Sequence, residues 1–325
     1  KIKKVRMDLL SWSKQCCWNS KSLINKVKQE LKEVKEIKGE GYRIKLASLK
    51  RKLAEAYKLE EIYWSQKARV KWLQEGDKNT NYFHAQVAGR RRMNRISMLK
   101  NKRGDWCRDE EETCQEIIDY FQQIYTTEEP GELSEILEGI PQTITGEMNR
   151  ELTRKVTEQE ISQAVFSMHP NKSPGPDGMS PIFFQKFWSI LKSDIIHAVN
   201  SFFVSGFILK SINETLISLI PKVASPSTIA DLRPISLCNV LYKIISKVIT
   251  NRFKHVLRYC ISQSQSAFVP GRQIVDNVLI AHECIHFLKN KRTGRDGYMA
   301  IKLDMSKAYD RVEWTFFGQS YDENG

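Results

Sequence analysis

Apolar residues recur every three or four positions along residues 21 to 73, with Leu46, Leu49, Leu53 and Ala56 forming one stripe among lysines and glutamates. That period predicts one or two amphipathic helices, and the glycines at 39 and 41 supply a turn, so the segment reads as a helical hairpin. The stripe fails at Glu60 and covers too few heptads for a coiled coil. Farther on, Thr157 and Glu160 stand three apart before an apolar face of Ile161, Ala164, Val165 and Met168, which predicts a capped helix ending before Pro170. Residues 181 to 204 place Phe184, Phe187, Trp188, Leu191, Ile195, Val199 and Phe202 at helical spacing, with Gly206 as the stop. The expectation there is one long buried helix whose aromatics are core.

β-Branched residues take over in "ETLISLIPK", which predicts a strand. Asn239 then opens a helix through "VLYKIISKVITNRFKHVLRYC", and Asp276 opens another through "NVLIAHECIHFLKNK". In "YMAIKLDM", Met299, Ile301 and Leu303 alternate with Ala300, Lys302 and Asp304, the pattern of a strand with Asp304 near its end and off the apolar face. Helices and strands together predict an α+β chain, without internal repeats or low-complexity tracts.

Charge divides the chain into segments. Residues 1–110 carry a net +16, residues 111–149 a net −10 with no basic side chain, and residues 150–325 a net +7. We read residues 1–110 as a basic helical linker and nucleic-acid-binding region and residues 111–149 as an acidic helical connector. A basic block commonly meets a polyanion, because each phosphate contact releases counterions, although a solvated Lys/Glu-rich helical surface has the same composition. No apolar run reaches the ~20 residues that span a bilayer, so no membrane partner is expected. The chain starts at Lys1 and shows no secretory signal, which reads as a soluble fragment. Its seven cysteines are scattered with no CxxC, which fits a reducing compartment and argues against a zinc ribbon or disulfide framework.

Two stretches suggest chemistry of their own. Around residues 74 to 106, Tyr82 and Phe83 precede Arg90, Arg91, Arg92 and Arg95. Aromatic rings that stack on bases and arginines that hold phosphates are the usual division of labour on single strands. The competing reading makes both rings core and the arginines merely exposed. "HECIH", from His282 to His286, matches the HExxH pattern of zinc hydrolases, but the two histidines border an apolar helical face and no third ligand is defined.

The segment "IKLDMSKAYDRVEW" places a strand before Asp304 and Tyr309-Asp310 at a helix start, and it resembles motif A of reverse transcriptases. "NKSPGPDGMSPIFFQKFW", "LRPISLCNVLYKIISKVITNRF" and "SQSAFVPGRQIVDNVLIAHE" resemble, in order, the finger and palm motifs of LINE-type, non-LTR retrotransposon polymerases. With "WLQEGDKNTNYFHAQ" upstream, the variety resembled is the one abundant in plant genomes, and the likeness runs from about residue 64 to residue 314. It implies the fingers and partial palm of a right-hand polymerase over residues 150–325, copying an RNA template onto a DNA primer from deoxynucleoside triphosphates. It further implies Asp304 as a ligand of two Mg²⁺ ions, the Met305 carbonyl as another, and Tyr309 as the gate against ribose. Lys222 and Arg233 are implied to hold the incoming triphosphate, and Arg272 and Gln273 to lie near template and primer. Cytoplasmic assembly and nuclear action follow from the same resemblance.

One departure matters. The family also needs a Tyr-x-Asp-Asp hairpin after motif A, and "TFFGQSYDENG" offers only Asp322 and Glu323, too close to Asp304 and without flanking strands. One carboxylate does not hold two ions for in-line displacement, so the expectation is a chain truncated after motif A and inactive alone. A non-enzymatic RNA- or DNA-binding remnant is the alternative, and uncovered strand edges predict poor solubility.

Overall fold

The computed structural model describes residues 2–16, 20–37, 41–68, 80–127, 131, 133–139 and 141–318. In chain order the helices are α1 (Ile2–Cys16), α2 (Ser20–Glu36), α3 (Tyr42–Ala68), α4 (Thr80–Met93), α5 (Glu110–Tyr125), α6 (Ser134–Leu137), α7 (Gly146–Thr153) and α8 (Glu158–Phe166). They continue as α9 (Pro181–Lys186), α10 (Trp188–Ser205), α11 (Lys210–Asn213), α12 (Val240–Cys260), α13 (Ile274–Asn290) and α14 (Ala308–Arg311). Strands β1 (Thr215–Pro221) and β2 (Leu232–Cys238) form an antiparallel pair, so the described residues are mostly helical with a small two-stranded sheet.

The chain forms two compact units. The first takes residues 1–110, 169–186 and 213–240. In it α2 and α3 make the expected hairpin, burying Ile24 and Val27 on one side and Leu49 and Ala56 on the other. The C-terminal end of α3 meets α4 through Ala68, Phe83 and Val87, with Trp64 and Tyr82 packed against them. Arg90 reaches back from α4 to donate to the Ala68 carbonyl at 2.9 Å and so satisfies an orphan acceptor at the end of α3. The Pro/Gly loop of residues 171–180 is locked onto the end of β2. Asn239 Oδ1 accepts from the Asp177 amide at 3.1 Å, and a Cβ at Gly175 would lie 2.4 Å from the Asn239 nitrogen. Only glycine permits that approach.

The second unit takes residues 111–168, 187–212 and 241–325. Its α8 carries the expected capping box, Thr157 Oγ1 accepting from the Glu160 amide at 3.3 Å and Glu160 Oε2 from the Thr157 amide at 2.9 Å. Arg252 on α12 joins that box, donating to Glu160 Oε1 at 2.9 Å and to the carbonyls of Leu152 and Arg154 at 2.8 and 2.7 Å. One guanidinium thereby ties the end of α7, the start of α8 and the middle of α12.

The single buried helix expected over residues 181–204 is corrected. Phe187 leaves the helical region at φ −103°, ψ 22° and separates α9 from α10. Phe184, Ile195 and Val199 are buried, but Phe187, Ile190 and Val204 are exposed, so a helical period of apolar residues does not by itself fix which side is core. Gly206 is the stop, in the left-handed conformation at φ 65°. The strand expected over residues 298–305 is likewise absent, its apolar positions Met299, Ile301 and Leu303 being 80%, 70% and 90% exposed. Alternation fits a residue run to a sheet face, but a strand needs a partner's backbone to complete its hydrogen bonds.

Candidate nucleotide and nucleic-acid site

Lys222 and Arg233 come from the β1–β2 pair. Ile220 lies opposite Arg233 in the register, and Lys222 follows the last residue of β1, in the turn that leads to β2. The connection between them is a firm turn. The Thr228 and Ser227 amides and the Thr228 hydroxyl donate to Asp231, holding its carboxyl below the ordinary range. Lys222 donates its amide to the Asp231 carbonyl at 2.7 Å and its ammonium to the Ala230 carbonyl at 2.8 Å. Arg233 is exposed. A lysine point charge and an arginine fork are the side-chain types that suit a phosphate-bearing ligand.

In the same unit, Tyr82 is half-buried, while Phe83 is 3% exposed within the α3–α4 contact. Base stacking by Phe83 is therefore corrected: its ring faces are taken up by packing. Arg91, Arg92 and Arg95 are exposed. Arg90 is exposed as a residue, yet its guanidinium caps α3, so positioning the helix is its first task. Close by in sequence, Lys67 lies over the Tyr63 ring at 4.3 Å and the Trp64 ring at 5.5 Å. Lys67 and Lys172 also line a cavity of about 280 Å³ together with Gln66, Asn171, Ser173, Pro174 and Ser180, a polar and basic hollow in this unit.

Asp304, Met305 and Tyr309 lie in the second unit, exposed, the first two on an irregular segment before α14 and Tyr309 within α14. Lys307, between Asp304 and Tyr309, holds a left-handed backbone at φ 53°, ψ 48°. Its ammonium lies over the rings of Tyr120 and Phe121 of α5, 5.4 and 5.6 Å from their centroids. A cation shared by two ring faces compensates a conformation that a non-glycine residue rarely adopts. The acidic helix also feels this segment through charge: burial first, then the Asp310 carboxylate, raises the Tyr125 pKa.

A divalent cation would find Asp304 and the Met305 carbonyl here, both hard oxygen donors. Among the described residues no three His, Cys, Asp or Glu side chains gather into a metal-binding group, so these donors alone do not make a metal site. Asp322 and Glu323 lie outside the described residues. The HExxH stretch, weighed above only as a remote alternative, likewise has no such group around it among the described residues. His282 and His286 are exposed, their rings 6.4 Å apart, and His286 meets the Asn290 amide. Cys107, Cys114, Cys238, Cys260 and Cys284 are free.

Gln273 is the residue before α13, exposed and with no side-chain cap bond. Arg272 is turned inward. Its guanidinium donates to the carbonyls of Ser262 at 2.5 Å, Gln265 at 2.6 Å and Ile261 at 3.3 Å, so it staples its own loop. Its donors meet carbonyls within the loop, so its role in this structure is to hold the loop that carries Gln273. Phe268 in the same loop is exposed and has a positive φ, a feature that a sequence does not announce. Among the described residues no helix is long and apolar enough to cross a membrane.

Residues 220–323 match the family described as reverse transcriptase (RNA-dependent DNA polymerase). The chain is 33% identical over 250 residues, 76% of its length, to the transposon TX1 uncharacterized 149 kDa protein of Xenopus laevis. It is 27% identical over 205 residues, 60% of its length, to the retrovirus-related Pol polyprotein from type-2 retrotransposable element R2DM of Drosophila melanogaster. These stretches are 19% and 17% of the respective relatives, so the chain spans about a fifth of the curated proteins it matches. Lys222, Arg233, Gln273, Asp304 and Tyr309 all fall inside the family match. Residues 220–323 are thus similar to reverse transcriptases, and the relatives include retrovirus-related Pol polyproteins from retrotransposable elements.

Proposed function

We propose that this chain supplies the fingers and part of the palm of a right-hand, RNA-directed DNA polymerase from a non-LTR retrotransposon of the plant-type variety. Residues 1–110 serve as its basic nucleic-acid-binding region and residues 111–149 as an acidic connector. The observation that carries this reading is the family match over residues 220–323, which takes in both the cation-bearing hairpin and the Asp304 segment. Lys222 and Arg233 hold the triphosphate of an incoming deoxynucleotide, and the exposed Tyr309 ring lies under its sugar and rejects a 2′-hydroxyl. Gln273 lies near the template and nascent pair. Asp304 and the Met305 carbonyl contribute ligands to divalent metal, with magnesium the ion that hard oxygens favour. Because they do not complete a metal site among the described residues, further carboxylates are needed before displacement can occur. The partners are an RNA template and a DNA primer, met after cytoplasmic assembly and used in the nucleus.

Primer extension on an RNA template in magnesium tests this, comparing the chain with a version continued through a Tyr-x-Asp-Asp hairpin and thumb. We expect extension by the continued version alone, abolished by Asp304→Ala. Asp304-dependent extension by the shorter chain overturns the claim that more carboxylates are required. Extension by the continued version that survives Asp304→Ala overturns the assignment itself.

A further inference from the structure

The loop between α12 and α13 is built around one displayed side chain. Arg272 holds three carbonyls of residues 261–265, and Asn277 on α13 donates to the Ser264 carbonyl at 2.8 Å. Ser266 and Val269 are 7% and 5% exposed. Between those two buried positions Phe268 is 86% exposed and sits at φ 65°. A bulky aromatic in the left-handed region is strained, and glycine would be the unstrained choice. The sequence thus has a strained backbone and a bare apolar ring at the same point, although relieving either would favour another residue. Strain held in place by surrounding bonds is a mark of functional positions.

The electrostatics around the loop name the occupant. From Arg252 to Val275 the chain contains no acidic residue. Lys254 and Arg258 are exposed one helical turn apart on the last turns of α12, and Arg258 lies 4.9 Å from the ring of the exposed Tyr259. Cations that track phosphates beside aromatic faces that stack on bases are the elements of single-strand recognition. We infer that Phe268 is a base-stacking residue, placed by the Arg272-stapled loop to lie against an unpaired nucleobase of a single strand, with Lys254 and Arg258 on its backbone. This inference rests on the polymerase reading and adds a contact to it.

The test measures binding of the whole chain to a single-stranded oligoribonucleotide and to an abasic oligonucleotide of equal length, over a range of salt. Phe268→Ala and Phe268→Gly should weaken binding to the intact strand about tenfold, leave the abasic strand unaffected and keep the salt slope, while Phe268→Tyr retains affinity. Phe268→Gly should also melt no lower than the parent, which separates lost binding from lost folding. A 4-thiouridine strand should crosslink within the peptide Tyr259–Arg272. Equal affinities across the variants, an equal loss on the abasic strand, or a Phe268-dependent change in oligomeric state would each overturn the inference. A missing Phe268 effect alongside Asp304-dependent primer extension removes this contact alone. A base-specific Phe268 effect with Asp304-independent extension removes the polymerase assignment alone.

Discussion

The hairpin that carries Lys222 and Arg233 and the segment that carries Asp304 and Tyr309 fall within the same family match, yet they are held in different ways. The hairpin is closed by neighbours: a seven-residue ladder, the Asp231 turn, and the Gly175 loop seated on Asn239. The Asp304 segment has no ladder, leaves Met299, Ile301 and Leu303 exposed, and is fastened to α5 through Lys307. A ladder divides its load over many bonds, whereas a cation held by two rings concentrates it at one residue. The first arrangement should therefore yield to backbone crowding and the second to loss of a single charge.

The largest effect is expected away from both, at Arg252 in the second unit. Arg252→Ala removes from Glu160 its buried cation, leaving the more exposed Arg154, and takes a donor from two carbonyls in a site where Arg252 is 7% exposed, so stability should fall by about 3 kcal/mol in denaturant melts. The same pair sets an acid limit. Hydrogen bonding from Arg252 leads the effects that lower Glu160 from its ordinary 4.5 to about 2. Its stabilisation is complete above pH 4.5 and disappears as pH falls through about 2. Thermal melts over that window should lose stability in the parent chain, and Glu160→Gln should remove that part of the slope.

Next in size is Gly175→Ala, whose added carbon would meet backbone at 2.4 and 2.5 Å. Backbone does not move aside as a side-chain tip does, so a loss of about 2 kcal/mol is expected, with faster hydrogen exchange across β2. Lys307→Met should cost about 1 kcal/mol or less globally but raise exchange at residues 304–311 severalfold, while Lys307→Arg restores protection. If the methionine leaves exchange unchanged, the Tyr120–Phe121 contact does not position the segment. Smallest is Asp304→Ala, expected within about 0.5 kcal/mol of the parent because the side chain is exposed. That neutrality is what makes a loss of extension in the continued polymerase interpretable as chemistry.

What could be read in advance follows the same division between local and distant causes. The Thr157–Glu160 capping box and the α2–α3 hairpin are legible because their signals lie within a few residues of the structure they specify. β2 was read only as part of a motif, since "LRPISLC" mixes proline and arginine into a weak alternation and becomes a strand by pairing with β1. The opposite error arose at residues 298–305, where alternation is clear and no ladder forms. Site residues were found by type more readily than by role. Arginine at 272 and phenylalanine at 83 are suited to nucleic acid, but carbonyl acceptors and a packed helix claim them first. Neither competitor is visible in one dimension.

The way the chain alternates between its two units has a consequence for how it is made. Unit 1 draws on three separate stretches, the last ending at residue 240, and unit 2 on three others, the last beginning at residue 241. During synthesis the α2–α3 hairpin emerges well before the β1–β2 sheet of the same unit, with residues 111–168 and 187–212 of the other unit made in between. Unit 1 has all its residues once Val240 is made, whereas unit 2 still awaits residues 241–325. Up to that point folding on the ribosome must keep two unfinished cores alive at once, and a nick in either crossing segment should be felt in both.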